Sequence, residues 1–166
     1  DLSAGIGGVA SFDFTDIPQS YKHLKIVASL RSAAAATTCR LLARLNNASS
    51  ANYDYQSCKL NGSTLTNVSN SVGQTTAYIG IMPAASGPAS SFDAVEIVIP
   101  NYTDANLFHS LYLNQSHRGG TTSATQFTVW GMATYTVAAA ISRVTLYAES
   151  SANLAQYSRA TLYGLN

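Results

Sequence analysis

Charge is what this sequence has least of. Charged residues make up 10% of its 166 positions, against about 25% in an average soluble domain. The six Arg and three Lys are scattered and the formal net charge is +1. Binding to nucleic acid by counterion release needs a basic patch. No basic run exists, so nucleic acid is not an expected partner. Long apolar runs are missing too: none reaches the roughly 18 residues that a membrane-spanning helix needs. Cysteine is limited to Cys39 and Cys58, too few for a disulfide framework.

Catalytic and metal-binding patterns are equally scarce. His23, His109 and His117 lie far apart, and there is no C-x-x-C pair, so no zinc-type ligand spacing arises. The chain has no G-x-S-x-G elbow, Walker loop or dinucleotide fingerprint. Asp13 and Asp16 lack the oxygen-ligand density of a calcium loop. Glycoside hydrolysis needs two converging carboxylates, and nothing singles out a pair among the eight present. The expectation is a protein that is not an enzyme and holds no cofactor or metal.

What is present is Ser, Thr, Asn and Gln around recurring period-two apolar patterns. Such alternation, cut by Gly, Asn, Ser and Pro, argues for β-strands. Phe12–Ile17, Leu24–Leu30, Cys39–Leu45, Tyr53–Leu60, Thr76–Met82, Phe92–Ile99, Leu107–Gln115, Gln126–Thr136, Ile141–Ala148 and Arg159–Leu165 carry it. Val95, Ile97, Val98 and Ile99 are nearly continuous, as in a central strand. The alanines at 33–36 are too few to nucleate a helix. Asn61–Gln74 reads as an exposed loop with at most a short strand, and Pro83–Ser91 as a loop. The expected fold is all-β: an antiparallel β-sandwich of about nine or ten strands with turn signals at sandwich spacing. Residues 1–8 read as a flexible N-terminal arm and 9–166 as a single domain. The echo of Arg143–Tyr147 in Arg159–Tyr163 is two strands with similar needs; two copies do not make a solenoid.

Two residue sets carry functional expectations. If Leu45 faces Tyr53 across a hairpin, Cys39 falls near Cys58. Opposed Cα atoms in such a ladder are about 4.5–5.5 Å apart, within disulfide range. The alternative is two reduced, buried thiols. Tyr is frequent, at ten copies, and Trp130 is unique. Tyr53, Tyr55, Tyr147 and Tyr163, with Tyr112 and Tyr157, are candidates for an interface or sugar-stacking surface, where Tyr is enriched. The alternative is that Tyr suits strands and sets its hydroxyl at the core boundary. The sequons at Asn47, Asn61, Asn67, Asn101 and Asn114 matter only in a eukaryotic secretory route.

Three stretches together resemble a known group. They are Phe12–Ile26, Leu45–Asn47 with Ala51–Tyr55, and Ile141–Tyr147 with Tyr157–Leu165. The group is the tailed-bacteriophage virion proteins described as structural, fibre or capsid-decoration (cement) proteins. One departure is Asn46-Asn47, where an Asn-Gly-Asp-like turn is expected. The resemblance implies a jelly-roll-like sandwich located in the virion and carries over no catalytic residue. The expected partner is the major capsid protein or another virion protein, bound by a homo-oligomer, with a trimer favoured. The arm at 1–8 and the loops at 61–74 and 84–91 are the expected contacts. The alternative is a fibre head that recognises host-surface glycan through Tyr, Asn and Gln.

Overall fold

The computed structural model describes residues 1–119 and 125–166. Among them are twelve β-strands and one 3-10 turn, Glu149–Ser151. The strands are β1 (Leu2–Ser3), β2 (Ser11–Phe14), β3 (His23–Ser29), β4 (Thr38–Leu45), β5 (Tyr53–Asn61) and β6 (Thr64–Gln74). They continue with β7 (Ala77–Pro83), β8 (Ala94–Ile99), β9 (His109–Gly119), β10 (Thr125–Tyr135), β11 (Val144–Ala148) and β12 (Arg159–Leu165). The sequence Arg118-Gly119-Gly120 reads as a turn; Arg118 and Gly119 are the end of β9, and Gly120 lies outside the described residues.

Two antiparallel sheets result. The large sheet has eight strands in the order β1-β12-β3-β8-β9-β10-β5-β6, and the small one has four, β2-β11-β4-β7. Among the described strands the chain crosses between sheets at eight of eleven connections, the exceptions being β5–β6, β8–β9 and β9–β10. This is jelly-roll connectivity in which the β8–β9–β10 meander fills the place of one strand. The predicted all-β sandwich is therefore the observed fold.

The alternation works because each sheet buries one face. In β9, His109, Leu111, Leu113, Gln115 and His117 point inward, while Tyr112, Asn114, Ser116 and Arg118 point out. In β3, Leu24, Ile26 and Ala28 do the same against Ile99, Ile97 and Val95 of β8. Leu41, Leu45, Ile79, Met82 and Leu146 of the small sheet close the core. Burying each such side chain contributes roughly 1.5–3 kcal/mol.

Two segments differ from expectation. The arm at 1–8 is tied down: Leu2 and Ser3 pair with Ala160 and Arg159 of β12. The Ala4 N–H donates to the Ser158 carbonyl, and Ala4 itself is buried. Its Gly-rich composition hid a short edge strand. Residues 61–74 are largely strand, an eleven-residue edge that pairs with β5. An edge strand with little to bury needs no apolar alternation, so its composition read as loop.

Candidate functional site

Of the two readings of the cysteines, the structure has the separate thiols, half-buried rather than buried, and not the cross-strand pair. β4 and β5 are not a hairpin: β4 pairs with β11 and β7 in the small sheet, and β5 with β10 and β6 in the large one. Asn46 and Asn47, at φ of 51° and 57°, turn the chain from one sheet to the other. The Asn46 side chain fixes this corner, accepting from the Ser142 N–H at 2.9 Å and donating to the Ala140 carbonyl at 2.8 Å. Cys39 and Cys58 are both free thiols.

The predicted aromatics separate into different roles. Tyr53 is not an interface residue: it is 0% exposed. Its hydroxyl accepts from the Leu45 N–H at 2.9 Å and donates to the Ala48 carbonyl at 3.2 Å. Burial pushes its pKa up to about 12. Tyr147 is half-buried beneath the Arg44 guanidinium, 5.3 Å from the ring centre. Tyr163 is exposed on β12, and Tyr55 lines a cleft. Asp13 is committed to the Arg143 guanidinium, whose hydrogen bonds hold its carboxyl below the usual range; Thr145 adds another.

Three regions stand out. The first is the outer face of the large sheet. Its registers align one row across seven strands: Tyr163, Lys25, Val98, Tyr112, Met132, Gln56 and Asn70. Tyr163, Tyr112 and Met132 of this row are exposed, as are Trp130 and Val27 in the next. Tyr112 is 57% exposed, a large share for an aromatic in the middle of a sheet. A shallow hollow between Trp130, Met132 and Cys58 interrupts the face.

The second is a polar cleft at the open side of the sandwich. The small sheet ends at β7, while the large sheet continues through β5 to β6. Two adjoining hollows of about 240 and about 160 Å³ share Arg40, Tyr55, Tyr78 and Glu149. Thr38, Cys39, Lys59, Ser69 and Ile81 also line the larger one, and Leu42, Gln74, Thr75 and Thr76 the smaller. The Tyr55 and Tyr78 rings sit 5.3 Å apart at 47°. The Arg40 guanidinium lies 5.7 Å over Tyr78 and 3.4 Å from the Glu149 carboxylate.

The third is internal. Asp93, almost wholly buried, accepts from the Leu30 N–H at 2.6 Å and from the Gln115 amide at 2.5 Å. Gln115 also reaches across the sandwich to β7: it accepts from the Ile81 N–H at 2.9 Å and donates to the Ile81 carbonyl at 2.5 Å. Gly80 makes this possible, since a Cβ there would lie 1.9 Å from the Gln115 Oε1. Burial pushes the Asp93 pKa up to about 8, against the pull of its two donors. Beside it, Arg31 donates to the carbonyls of Pro88, Ser91 and Ala84 at 2.7–2.8 Å, which locks the 84–91 loop.

The histidines stay apart. His23 accepts from the Asn101 N–H, His109 bonds the Ala139 carbonyl, and His117 stacks on Phe127 at 5.1 Å. Burial lowers the His117 pKa to about 4, helped by Lys59. Among the described residues no cluster of three His, Cys, Asp or Glu could hold a metal ion. Nor, among the described residues, is any helix long and apolar enough to cross a membrane. The fold and surfaces thus define an all-β sandwich with a sheet face that exposes several aromatic and apolar side chains, and with a polar cleft. No protein-family model, curated protein or solved structure matches this chain.

Proposed function

We propose that the protein is a non-enzymatic structural subunit of a tailed-phage particle, a decoration protein that binds the shell through the outer face of its eight-stranded sheet. One observation carries this reading: Tyr163, Val98, Tyr112 and Met132 share a row with Lys25, with Trp130 beside it, on a face that no other described element covers. Exposed apolar patches of this kind mark interaction surfaces, and central aromatics are the side chains that dominate binding energy. The centre of the face carries the mutually paired Lys25 and Glu96 at 3.0 Å, with Arg118 and Arg159 towards its ends. Attachment therefore rests on burial of apolar area rather than ion pairs. The tied-down arm and the Arg31-locked loop are poorly placed to act as free tethers, which moves the expected contact from the loops to this face. A homo-oligomer, with a trimer favoured, would present several such faces at once.

The test is localisation on purified virions by cryo-electron microscopy, followed by salt washing. The protein is expected on the shell and retained in high salt. Tyr112→Lys and Trp130→Glu are expected to abolish attachment while the isolated variants stay folded. Absence from particles, or release by moderate salt alone, would overturn the reading. A second reading, a fibre head that binds host-surface glycan, has the aromatic-lined cleft in its favour.

A further inference from the structure

We infer that the cleft between β4, β5, β6, β7 and the Glu149 turn is a binding site for an acidic saccharide. The inference deepens the second reading above and is independent of where the protein sits. Binding is read on the isolated protein, and location on the particle.

The chemistry of the lining selects the ligand class. Tyr55 offers ring surface to the cleft, with Tyr78, whose ring lies under the Arg40 guanidinium, packed beside it. The apolar C–H face of a pyranose packs on such a ring, which an inorganic anion cannot exploit. Around the rings stand hydroxyl and amide groups, from Thr38 and Ser69 at one end to Gln74, Thr75 and Thr76 at the other. These can both donate and accept, as sugar hydroxyls require. Arg40 and Lys59 supply two positive charges against the single carboxylate of Glu149. The balance favours a ligand carrying one negative charge. A guanidinium receives a carboxylate through two parallel N–H bonds.

Glu149 narrows the choice further. Its carboxylate accepts hydrogen bonds from sugar hydroxyls but repels a polyphosphate. Its contact with Arg40 is long, at 3.4 Å, and both side chains are largely exposed. An incoming carboxylate can therefore engage the Arg40 guanidinium without breaking a tight ion pair. Cation–π contact with Tyr78 keeps the guanidinium over the floor meanwhile. The joined hollows suit one sugar ring with a neighbour, and a uronate or sialate residue fits the charge. Among the described residues that line the cleft, Glu149 is the one carboxylate, where hydrolysis of the bound glycan would need two. Its chemistry is that of binding.

The test is NMR titration of the labelled protein with 3′-sialyllactose and with trigalacturonate, using lactose as the neutral control. At least one acidic sugar is expected to shift Arg40, Tyr55, Tyr78 and Ser69 signals with at most millimolar affinity, and lactose far less. Arg40→Gln should weaken binding about tenfold, the loss of one charged contact. Tyr55→Leu tests the ring, with its circular dichroism checked against the parent. Should Tyr55→Leu fail to fold, Arg40→Gln, an exposed change, still decides the matter. Tyr157→Ala, at the far edge of the sheet, should bind as the parent does. No shift with either acidic sugar, equal response to lactose, shifts confined to other surfaces, or unchanged binding by Arg40→Gln would overturn the inference.

Discussion

The molecule has two polar clusters at the inner side of its large sheet, and they differ in how completely they are satisfied. Beneath the small sheet, Asp93, Gln115 and Arg31 spend their hydrogen bonds on backbone groups of Leu30, Ile81, Pro88 and Ser91. At the open side of the sandwich, where β5 and β6 reach past β7, Arg40 of β4 meets Glu149 and the Tyr78 ring, and Lys59 lies over Phe127. The first cluster bridges elements far apart in sequence and admits nothing more. The second retains donors and acceptors for another molecule. A polar group fully committed to backbone holds the fold; one left half-committed is free for recognition.

That contrast can be broken most severely at Gln115. Gln115→Ala would leave the Ile81 N–H and carbonyl unpaired and strip a donor from Asp93. Unsatisfied buried groups of this kind cost about 2–4 kcal/mol in total, measurable by urea unfolding. Arg31→Ala should cost about 2 kcal/mol through lost charged hydrogen bonds. It should also open the 84–91 loop to limited proteolysis. Either variant unfolding at the parent's urea midpoint would erase the distinction between the clusters.

The pH dependence follows from two shifts of opposite effect. Asp93 titrates at about 8 in the fold, above its usual 3.8. The folded state therefore binds the extra proton, and stability falls as pH rises between those values. His117 titrates at about 4, below 6.5, so it adds stability as pH rises through that lower window. Between pH 6.5 and 8 the Asp93 contribution dominates, before the buried tyrosines titrate at much higher pH. Stability should decline there by at most about 1.4 kcal/mol per pH unit and level off beyond pH 8. Asp93→Asn should lower the baseline yet flatten the slope, which thermal melts across pH 6.5–8.5 would read. The smallest effect belongs to the open cleft. Arg40→Ala should change stability by less than about 0.5 kcal/mol, as exposed pairs do, while its binding of acidic sugar falls.

The same division explains what could be read from the residues alone. Interior strands such as β3 and β9 announce themselves, because burying one face forces alternation. The two strands that composition concealed, β1 and β6, are the two edges of the large sheet. The supposed Cys39–Cys58 hairpin failed for another reason. Alternation shows that a segment is a strand but not which sheet it joins, and the Asn46–Asn47 corner sends β5 away from β4. Tyr53 and Tyr55 share one face of β5, yet one lies under the small sheet and the other beyond its edge. Only the extent of that sheet assigns them different roles. The cleft draws on residues from Thr38 to Glu149, and no local pattern could have assembled it.

The crossing of the chain between sheets also sets an order in time. Phe14 finds its partner in Val144, and Leu2 in Ala160. A ribosome adding about 5–20 residues per second would deliver those partners on the order of ten seconds after the first strands emerge. Until then β2 and the apolar side of β3 have no neighbours from the far end of the chain. Assembly dominated by such distant pairings is intrinsically slow, in the range of milliseconds to seconds even for a complete chain. The newly made polypeptide thus spends its most vulnerable interval before either sheet can close.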